Sequence, residues 1–180
     1  FKRLELEWID LPAASVDGVL CRWGVMLVLD PEAAMREMRR VLRPGGRVAL
    51  AVWGSAEHNP WATVPTRALI ELGHATPPDP TAPGMFRLAD RDMLAGMLAD
   101  AGFTEVKVEA VDVARDHESV DDFVAVQLDL SQAFSGARAA LPDDQWAEVV
   151  AKIAALAEPY VRDGGGLHFP GRSLAAVAHA

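Results

Sequence analysis

The chain has 180 residues and a formal net charge of −9, and this length fits one domain with a hydrophobic core of its own. Hydrophobic residues make up 51% of the chain and charged residues 24%, as is usual for globular proteins. Because an acidic surface repels phosphate backbones and anionic lipid headgroups, we expect neither nucleic acid nor a membrane surface as a partner. No apolar run approaches the ~20 residues that span a bilayer.

Cysteine usage and the first residues indicate where the chain resides. Cys21 is the only cysteine, which rules out an intramolecular disulfide and suits a reducing cytoplasm. Charges interrupt the first residues of the chain, so we do not expect them to be a signal peptide. Because the first residue is Phe1 rather than methionine, we expect the chain to begin inside a longer protein or to have been processed.

The first third of the chain predicts a strand, a helix and a second strand. The apolar run Val16–Cys21 predicts a strand buried on both faces. Asp30 can cap the helix that follows, with Pro31 in its first turn. We expect the Pro44–Gly46 turn to end this helix, with a glycine as its left-handed cap, and Val48–Trp53 to form the next strand. The expected apolar stripe of the helix consists of Ala34, Met35, Met38, Val41 and Leu42.

Two strands joined by one helix form a parallel, right-handed crossover, and apolar strands imply a sheet covered on both faces. The sequence therefore predicts the α/β class.

The rest of the chain predicts mostly helices. A helix begins at Asn59–Pro60 and runs to about Leu72, and the proline-rich stretch 75–84 is expected to be a loop. A second helix follows the cap Asp90. Its expected buried residues are Met93, Leu94, Met97 and Leu98.

Alternation over Phe103–Val113 predicts a half-exposed strand. Further helices are expected between Ser119 and Arg162. Leu167–Phe169 and Leu174–Ala178 should form the last strand or a hairpin.

Three motifs in order carry a resemblance to a known family. They are Trp8–Pro12, Val16–Gly24, and Glu37–Leu50 with its Leu-Arg-Pro-Gly-Gly turn. Together they resemble the methyltransferase domain of type 11, a class I group of S-adenosylmethionine-dependent enzymes that includes those of ubiquinone and menaquinone biosynthesis. The match covers about Glu5 to Gly54, and the later segments resemble the tail of the same fold more loosely.

The resemblance implies a Rossmann-like class I methyltransferase sheet with strand order 3-2-1-4-5-7-6, whose seventh strand is antiparallel. This chain would supply the part 4-5-7-6, with Phe1–Leu4 as a stub of the third strand. The glycine-rich turn that holds the cofactor is missing, because no Gly-x-Gly-x-Gly precedes Val16. The glycines at 164–166 do not replace it, because they follow a helix rather than a strand.

The implied organisation is one methyltransferase-like domain, 1–180, without its N-terminal cofactor-binding half. We expect the segments 55–88 and 119–162 to be helical lid insertions that cover the substrate.

The resemblance also implies a cofactor, S-adenosylmethionine, and residues that contact it. Glu5 and Leu6 fall where the family holds the adenine, although a solvated loop is the alternative interpretation. Cys21, Arg22 and Trp23 follow the fourth strand, where open α/β sheets bind ligands. Trp23 could attract the sulfonium through its ring face or belong to the core. Arg22 could bind a carboxylate or pair with a structural acid.

A second group of residues is expected to contact the methyl acceptor. Apolar and aromatic side chains near the crevice favour a small hydrophobic or aromatic molecule. The expected acceptor-binding residues are Met26, Trp53, Asn59 and Trp61. We assign no catalytic base, because the histidines are scattered, and we expect no metal, because no ligand spacing is present.

The leading functional hypothesis is methyl transfer to a small molecule, with weak or no activity in the 180 residues alone. One alternative is an inert methyltransferase-like module that binds a ligand or dimerises through the open edge of the fourth strand. Another is a different doubly wound nucleotide-binding enzyme such as a dehydrogenase. An antiparallel last strand distinguishes the methyltransferase fold from that third possibility.

Overall fold

The protein is seen here in a computed structural model that describes residues 1–79 and 82–180. The chain forms two compact units. The sheet unit comprises Phe1–Ser55, Asp79–Asp112 and Arg172–Ala180, and the helical unit comprises Ala56–Pro78 and Val113–Gly171. Part of the loop predicted over 75–84, residues 80 and 81, lies outside the described residues.

The regular elements follow in chain order. The helices are α1 Pro31–Val41, α2 Pro60–Glu71, α3 Arg91–Asp100, α4 Val120–Leu130, α5 Gln132–Ala140 and α6 Asp143–Ala157. The strands are β1 Val16–Arg22, β2 Leu42–Trp53, β3 Thr104–Asp112, β4 Arg115–His117, β5 Leu167–Phe169 and β6 Arg172–His179.

The sheet unit contains a four-stranded sheet in the order β1-β2-β6-β3. β1 and β2 are parallel, whereas β6 runs antiparallel to both of its neighbours, β2 and β3. In the family's numbering this is the order 4-5-7-6 with an antiparallel last strand. The predicted α/β class and sheet order are therefore confirmed, and the antiparallel β6 does not fit the dehydrogenase alternative.

Helix α1 forms for the reasons that its sequence indicates. The Asp30 carboxylate accepts a hydrogen bond from the Ala33 N–H at 2.8 Å, which satisfies one of the amides left open at a helix start. Pro31 occupies the first turn, where a missing N–H costs nothing. The buried stripe consists of Ala34, Met35, Met38 and Val41.

The Leu-Arg-Pro-Gly-Gly segment differs from the prediction. α1 ends at Val41 in an extended Leu42, so no glycine caps it. β2 already begins at Leu42. Its register against β1 passes from Val16↔Leu42 to Gly18↔Arg47, which is two residues on one strand against five on the other. The turn is thus a bulge of three extra residues inside the strand.

Several other expectations are wrong. Phe1–Leu4 forms no strand. β1 is not buried on both faces, because the Leu20 side chain is 81% exposed. β5 pairs with β4 rather than with the last strand, β6. Met93 is 42% exposed, because α3 turns Leu94 and Leu98 inward instead.

The helical unit has its own aromatic core. Phe169 on β5 packs at 4.6 Å between ring centroids against Phe123 on α4, and at 4.8 Å against Tyr160. Ser119 caps α4 by accepting from the Asp122 N–H at 3.0 Å. Residues 82–88, which belong to the predicted insertion 55–88, lie in the sheet unit, and the insertions themselves stay a prediction. The proposed role of the helical unit as a lid stays a prediction.

Candidate functional site

The carboxyl ends of β1 and β2 lie side by side and define the candidate site. Cys21 is paired in register with Leu50, and Arg22 with Ala51. Just beyond β1, the Trp23 N–H donates to the Ala51 carbonyl at 2.7 Å. Ligands of open α/β sheets bind in the crevice outside such strand ends.

Two tryptophans form a stacked pair at this edge. The rings of Trp23 and Trp53 are 4.4 Å apart between centroids and inclined by 9°. The Trp23 indole N–H donates to Ser173 Oγ at 3.2 Å, and that hydroxyl donates to the Val52 carbonyl at 2.7 Å. β6 thereby fixes the orientation of an aromatic side chain that follows β1.

Trp23 also has an unusual backbone conformation. Its φ of 55° lies in the left-handed region, which bulky side chains rarely adopt and which costs of order 1–3 kcal/mol. Such strain persists only where the surroundings impose it, and it is concentrated at functional sites. Here the Trp23–Trp53 stack and the hydrogen bond to Ser173 hold the backbone of Trp23 in this conformation.

Arg22 completes the stack. Its guanidinium carbon lies 4.8 Å from the Trp23 ring centroid. Because Trp53 covers one face of that ring, the guanidinium must cover the other. A cation of the chain itself thus lies over the Trp23 ring, and the contact of Trp23 with a sulfonium stays a prediction.

Leu6, Cys21 and Gly24 come together beside this stack. A Cβ placed on Gly24 would lie 3.1 Å from Cys21 Sγ and 3.8 Å from Leu6 Cδ1. The predicted adenine loop and the end of β1 are thus neighbours. We call the apolar surface that Leu6 and Cys21 form next to Gly24 the apolar wall. Glu5 is exposed, in a tight turn closed by the Trp8 N–H donating to the Glu5 carbonyl at 3.2 Å.

A salt-bridged pair on α1 holds the loop in this position. Glu37 accepts from the Ile9 N–H at 2.9 Å, while Arg40 donates to the carbonyls of Ile9 and Leu11 at 2.7 and 2.9 Å. Arg40 Nε and Glu37 Oε1 are 2.7 Å apart. Charge-assisted bonds of this kind are among the stronger ones in proteins. Both residues therefore act by positioning the loop.

The Glu37 pair predicts a pH dependence. The Arg40 guanidinium holds the pKa of Glu37 below its ordinary 4.5, so this carboxylate stabilises the fold above that pH, and the contribution disappears as the pH falls through the lowered pKa. We expect Glu37→Gln to lower the free energy of unfolding by about 1–3 kcal/mol at pH 7, and the difference from the wild type to shrink below pH 4.5. Urea unfolding between pH 3 and pH 7 measures this.

The control is Glu32→Gln in the same helix, whose carboxylate is 66% exposed and 3.7 Å from Arg36. It should change the free energy of unfolding by less than about 0.5 kcal/mol. An equal loss of unfolding free energy in the two variants would contradict the role of the Glu37–Arg40 pair in holding the loop.

The expected acceptor-binding residues fall into both units. Met26 and Trp53, in the sheet unit, are only 2% and 4% exposed. Asn59 and Trp61 lie in the helical unit, where the Trp61 indole N–H donates to Asn59 Oδ1 at 3.1 Å. The Arg115 guanidinium lies 3.8 Å from the Trp61 ring centroid. Burial lowers the pKa of Arg115.

Two histidines of the helical unit lie beside aspartates. The buried His117 Nδ1 lies 3.1 Å from Asp122 Oδ2, and the half-exposed His168 Nδ1 lies 2.8 Å from Asp116 Oδ1. Within residues 1–79 and 82–180, no group of three or more His, Cys, Asp and Glu side chains could hold a metal ion. Among the helices that the structure describes, none is long and apolar enough to cross a membrane.

Sequence reasoning missed Ser173, Glu37 and Arg40. Ser173 contacts Trp23 across 150 residues of chain, so no local pattern could reveal it. The spacing of Glu37 and Arg40 indicates an ion pair on one helix face, but it does not indicate that the pair binds the backbone of a preceding loop.

Comparison with known proteins shows which proteins this chain is similar to. Residues 1–50 match the family model described as a methyltransferase domain. The demethylmenaquinone methyltransferase of Renibacterium salmoninarum is 32% identical over 101 residues, which cover 51% of this chain and 43% of that protein. A ubiquinone/menaquinone biosynthesis C-methyltransferase of Pseudoalteromonas translucida is 25% identical over 114 residues, which cover 58% of this chain and 45% of that protein.

Solved structures show the same fold. A protein of Bacillus halodurans with a tentative methyltransferase assignment aligns over 97% of this chain and 74% of its own, with a TM-score of 0.54 and 17% identity. The chain has the fold of class I methyltransferases, with their sheet order and antiparallel last strand. In sequence, residues 1–50 resemble the methyltransferase domain family, as the motifs predict. The chain spans about half the length of the curated relatives it matches.

Proposed function

We propose that the protein acts in the transfer of a methyl group from S-adenosylmethionine to a small hydrophobic or aromatic molecule. The observation that carries this proposal is the convergence of Leu6, Cys21 and Gly24 with the Trp23–Trp53 stack at the carboxyl ends of β1 and β2. The family match over residues 1–50 covers most of these residues. Relatives named for demethylmenaquinone and for ubiquinone/menaquinone biosynthesis support a hydrophobic acceptor.

The apolar wall suits an adenosine group. Leu6 and Cys21 would pack against it, and Gly24 leaves open the space that a Cβ would fill against Cys21 Sγ. Glu5 would accept from the exocyclic amine of the adenine, with the Leu6 N–H near the ring. Arg22 and Trp23 would line the other side of the same space. We keep Met26, Trp53, Asn59 and Trp61 as proposed acceptor-binding residues.

When bound, S-adenosylmethionine supplies an electrophilic methyl group on a sulfonium. The contribution of this chain is to hold the partners in line and to exclude water, which can lower the barrier of such a displacement substantially. The rigid stack provides a fixed surface for that purpose, because Ser173 and Trp53 hold Trp23 on two sides. We assign no residue as a base.

Binding of S-adenosylhomocysteine tests the proposal. The 180 residues contain no glycine-rich turn ahead of β1, so we expect these residues alone to bind weakly, with a Kd on the order of 1 mM. Leu6→Ala should weaken it about fivefold, since it removes apolar contact with the ligand. Leu4→Ala is the matched control, because Leu4 lies in the same loop but is 39% exposed, and it should leave the Kd unchanged.

Equilibrium dialysis with labelled S-adenosylhomocysteine measures all three Kd values. No binding at millimolar concentration, or equal loss in Leu6→Ala and Leu4→Ala, would contradict the proposed site.

One observation favours a second candidate function, an inert module that dimerises. Leu20 on β1 is 81% exposed, and in the part of the chain that the structure describes β1 pairs on one side only. An open strand edge with an exposed leucine can pair with a second copy. Sedimentation distinguishes the two candidates, since this one requires a dimer without binding of S-adenosylhomocysteine.

A further inference from the structure

Arg22 is a cation held in place by an aromatic stack. The Trp53 ring supports the Trp23 ring at 4.4 Å, and the Trp23 ring supports the Arg22 guanidinium at 4.8 Å. Ser173 fixes the indole from the side by accepting its N–H at 3.2 Å. The guanidinium is thereby placed over the ring before any ligand arrives, which lowers the entropy lost on binding.

Within the described residues, Arg22 lacks the ion pair that several arginines of the sheet unit form. In the sheet unit, Arg36, Arg40 and Arg43 all form ion pairs with Asp or Glu side chains. Over residues 1–79 and 82–180, Arg22 forms none. Its guanidinium is exposed at the carboxyl end of β1 although the chain has a net charge of −9. A structural acid, one of the two partners we considered for Arg22, is therefore absent from the described chain.

We propose that Arg22 binds a carboxylate of the methyl acceptor, so that the preferred acceptor is an aromatic or hydrophobic acid. This inference rests on the proposed function. A guanidinium offers parallel N–H donors that match the two oxygens of a carboxylate. The strained backbone of Trp23, with φ at 55°, supports a role in ligand binding, because such strain is retained where the site requires it.

The same chemistry has a second source, the carboxylate of the cofactor's own amino acid group. Both carboxylates would bind a guanidinium in the same way. The two sources differ in which ligand loses affinity when Arg22 is replaced, and this difference is measurable.

Matched acid and amide probes test the inference. 2-Naphthoate and 2-naphthamide, and likewise benzoate and benzamide, are titrated into the full chain and followed through the indole N–H signals in NMR spectra. We expect each acid to bind about tenfold more tightly than its amide, the ratio expected for one charge-assisted contact. Arg22→Gln should abolish this preference, and Arg22→Lys should retain part of it.

The control variant is Arg47→Gln, an exposed arginine at the opposite end of β2. It removes the same charge and should leave the preference for acids intact. Loss of the preference in both variants would show a general effect of net charge and overturn the inference. The inference would also be overturned if the wild type bound acid and amide equally in both the naphthyl and the phenyl pair, or bound neither.

Two cofactor ligands separate the sources of the carboxylate. S-Adenosylhomocysteine carries the cofactor's carboxylate, and 5′-methylthioadenosine lacks it. If Arg22→Gln weakens only the former, the carboxylate belongs to the cofactor and the acceptor assignment is wrong. If the wild type binds S-adenosylhomocysteine but does not prefer acids to amides, this inference alone is refuted. If the wild type does not bind S-adenosylhomocysteine, the proposed function is refuted.

Discussion

Trp53→Ala is expected to lower the free energy of unfolding by about 3–5 kcal/mol, the range found when large buried side chains are truncated. Trp53 is only 4% exposed and forms the base of the stack. Its loss also removes the parallel ring contact with Trp23 at 4.4 Å, a kind of contact worth about 0.5–1.5 kcal/mol beyond area. Without that support, the left-handed backbone of Trp23 should relax. Denaturant unfolding and the indole N–H shift of Trp23 report the two effects.

Trp8→Ala provides the matched control for this substitution. Trp8 is 75% exposed, so the same truncation should change the free energy of unfolding by less than about 0.5 kcal/mol. A loss of similar size in both variants would show that the stack is not a stabilising element. An unchanged Trp23 signal in Trp53→Ala would show that Trp53 does not position Trp23.

Gly46→Ala is expected to cost about 3 kcal/mol, because an added methyl group meets backbone that cannot give way. Its Cβ would lie 2.9 Å from the Arg43 carbonyl oxygen and 3.0 Å from the Asp17 carbonyl oxygen. Gly46 also accepts a hydrogen bond from the Ala180 N–H at 2.9 Å. The glycine of the Leu-Arg-Pro-Gly-Gly motif therefore permits close packing of β1 and β2. Thermal and denaturant unfolding measure the cost.

Gly96→Ala is the control, because Gly96 has space for an added methyl group. Gly96 lies inside α3, and no neighbouring group lies within 4 Å of the position that a Cβ would take there. Alanine at this position should raise the free energy of unfolding by about 0.5–1 kcal/mol, through helix propensity. An unchanged free energy of unfolding in Gly46→Ala would contradict the close approach of the two strands.

Local chemistry made part of the fold predictable. The Asp30 and Asp90 caps and the apolar stripe of α1 lie where spacing and capping indicate. The strand order came from the family resemblance, since no local pattern encodes which strands are neighbours. The start of β2 at Leu42 was missed because it depends on pairing with Val16 and on contact of Gly46 with the distant Ala180.

The site was predictable to a similar extent. Its residues after β1 could be located, because strand ends in α/β sheets are known ligand positions. The arrangement of Arg22 over Trp23 could not be, because it depends on Trp53 and Ser173 from two other strands. Trp53 and Ser173 are brought together by the pairing of β2 with β6, in which they face each other in register.

The carboxyl ends of β1 and β2 should bind a ligand of the S-adenosylmethionine type, and every functional proposal above depends on this. Amide NMR spectra of the isotope-labelled chain during titration with S-adenosylhomocysteine test it most directly. We predict that the largest shifts occur at Glu5, Leu6 and Cys21 through Gly24, and that they saturate together. Shifts confined to the helical unit, or none at these amides at millimolar ligand, would contradict it.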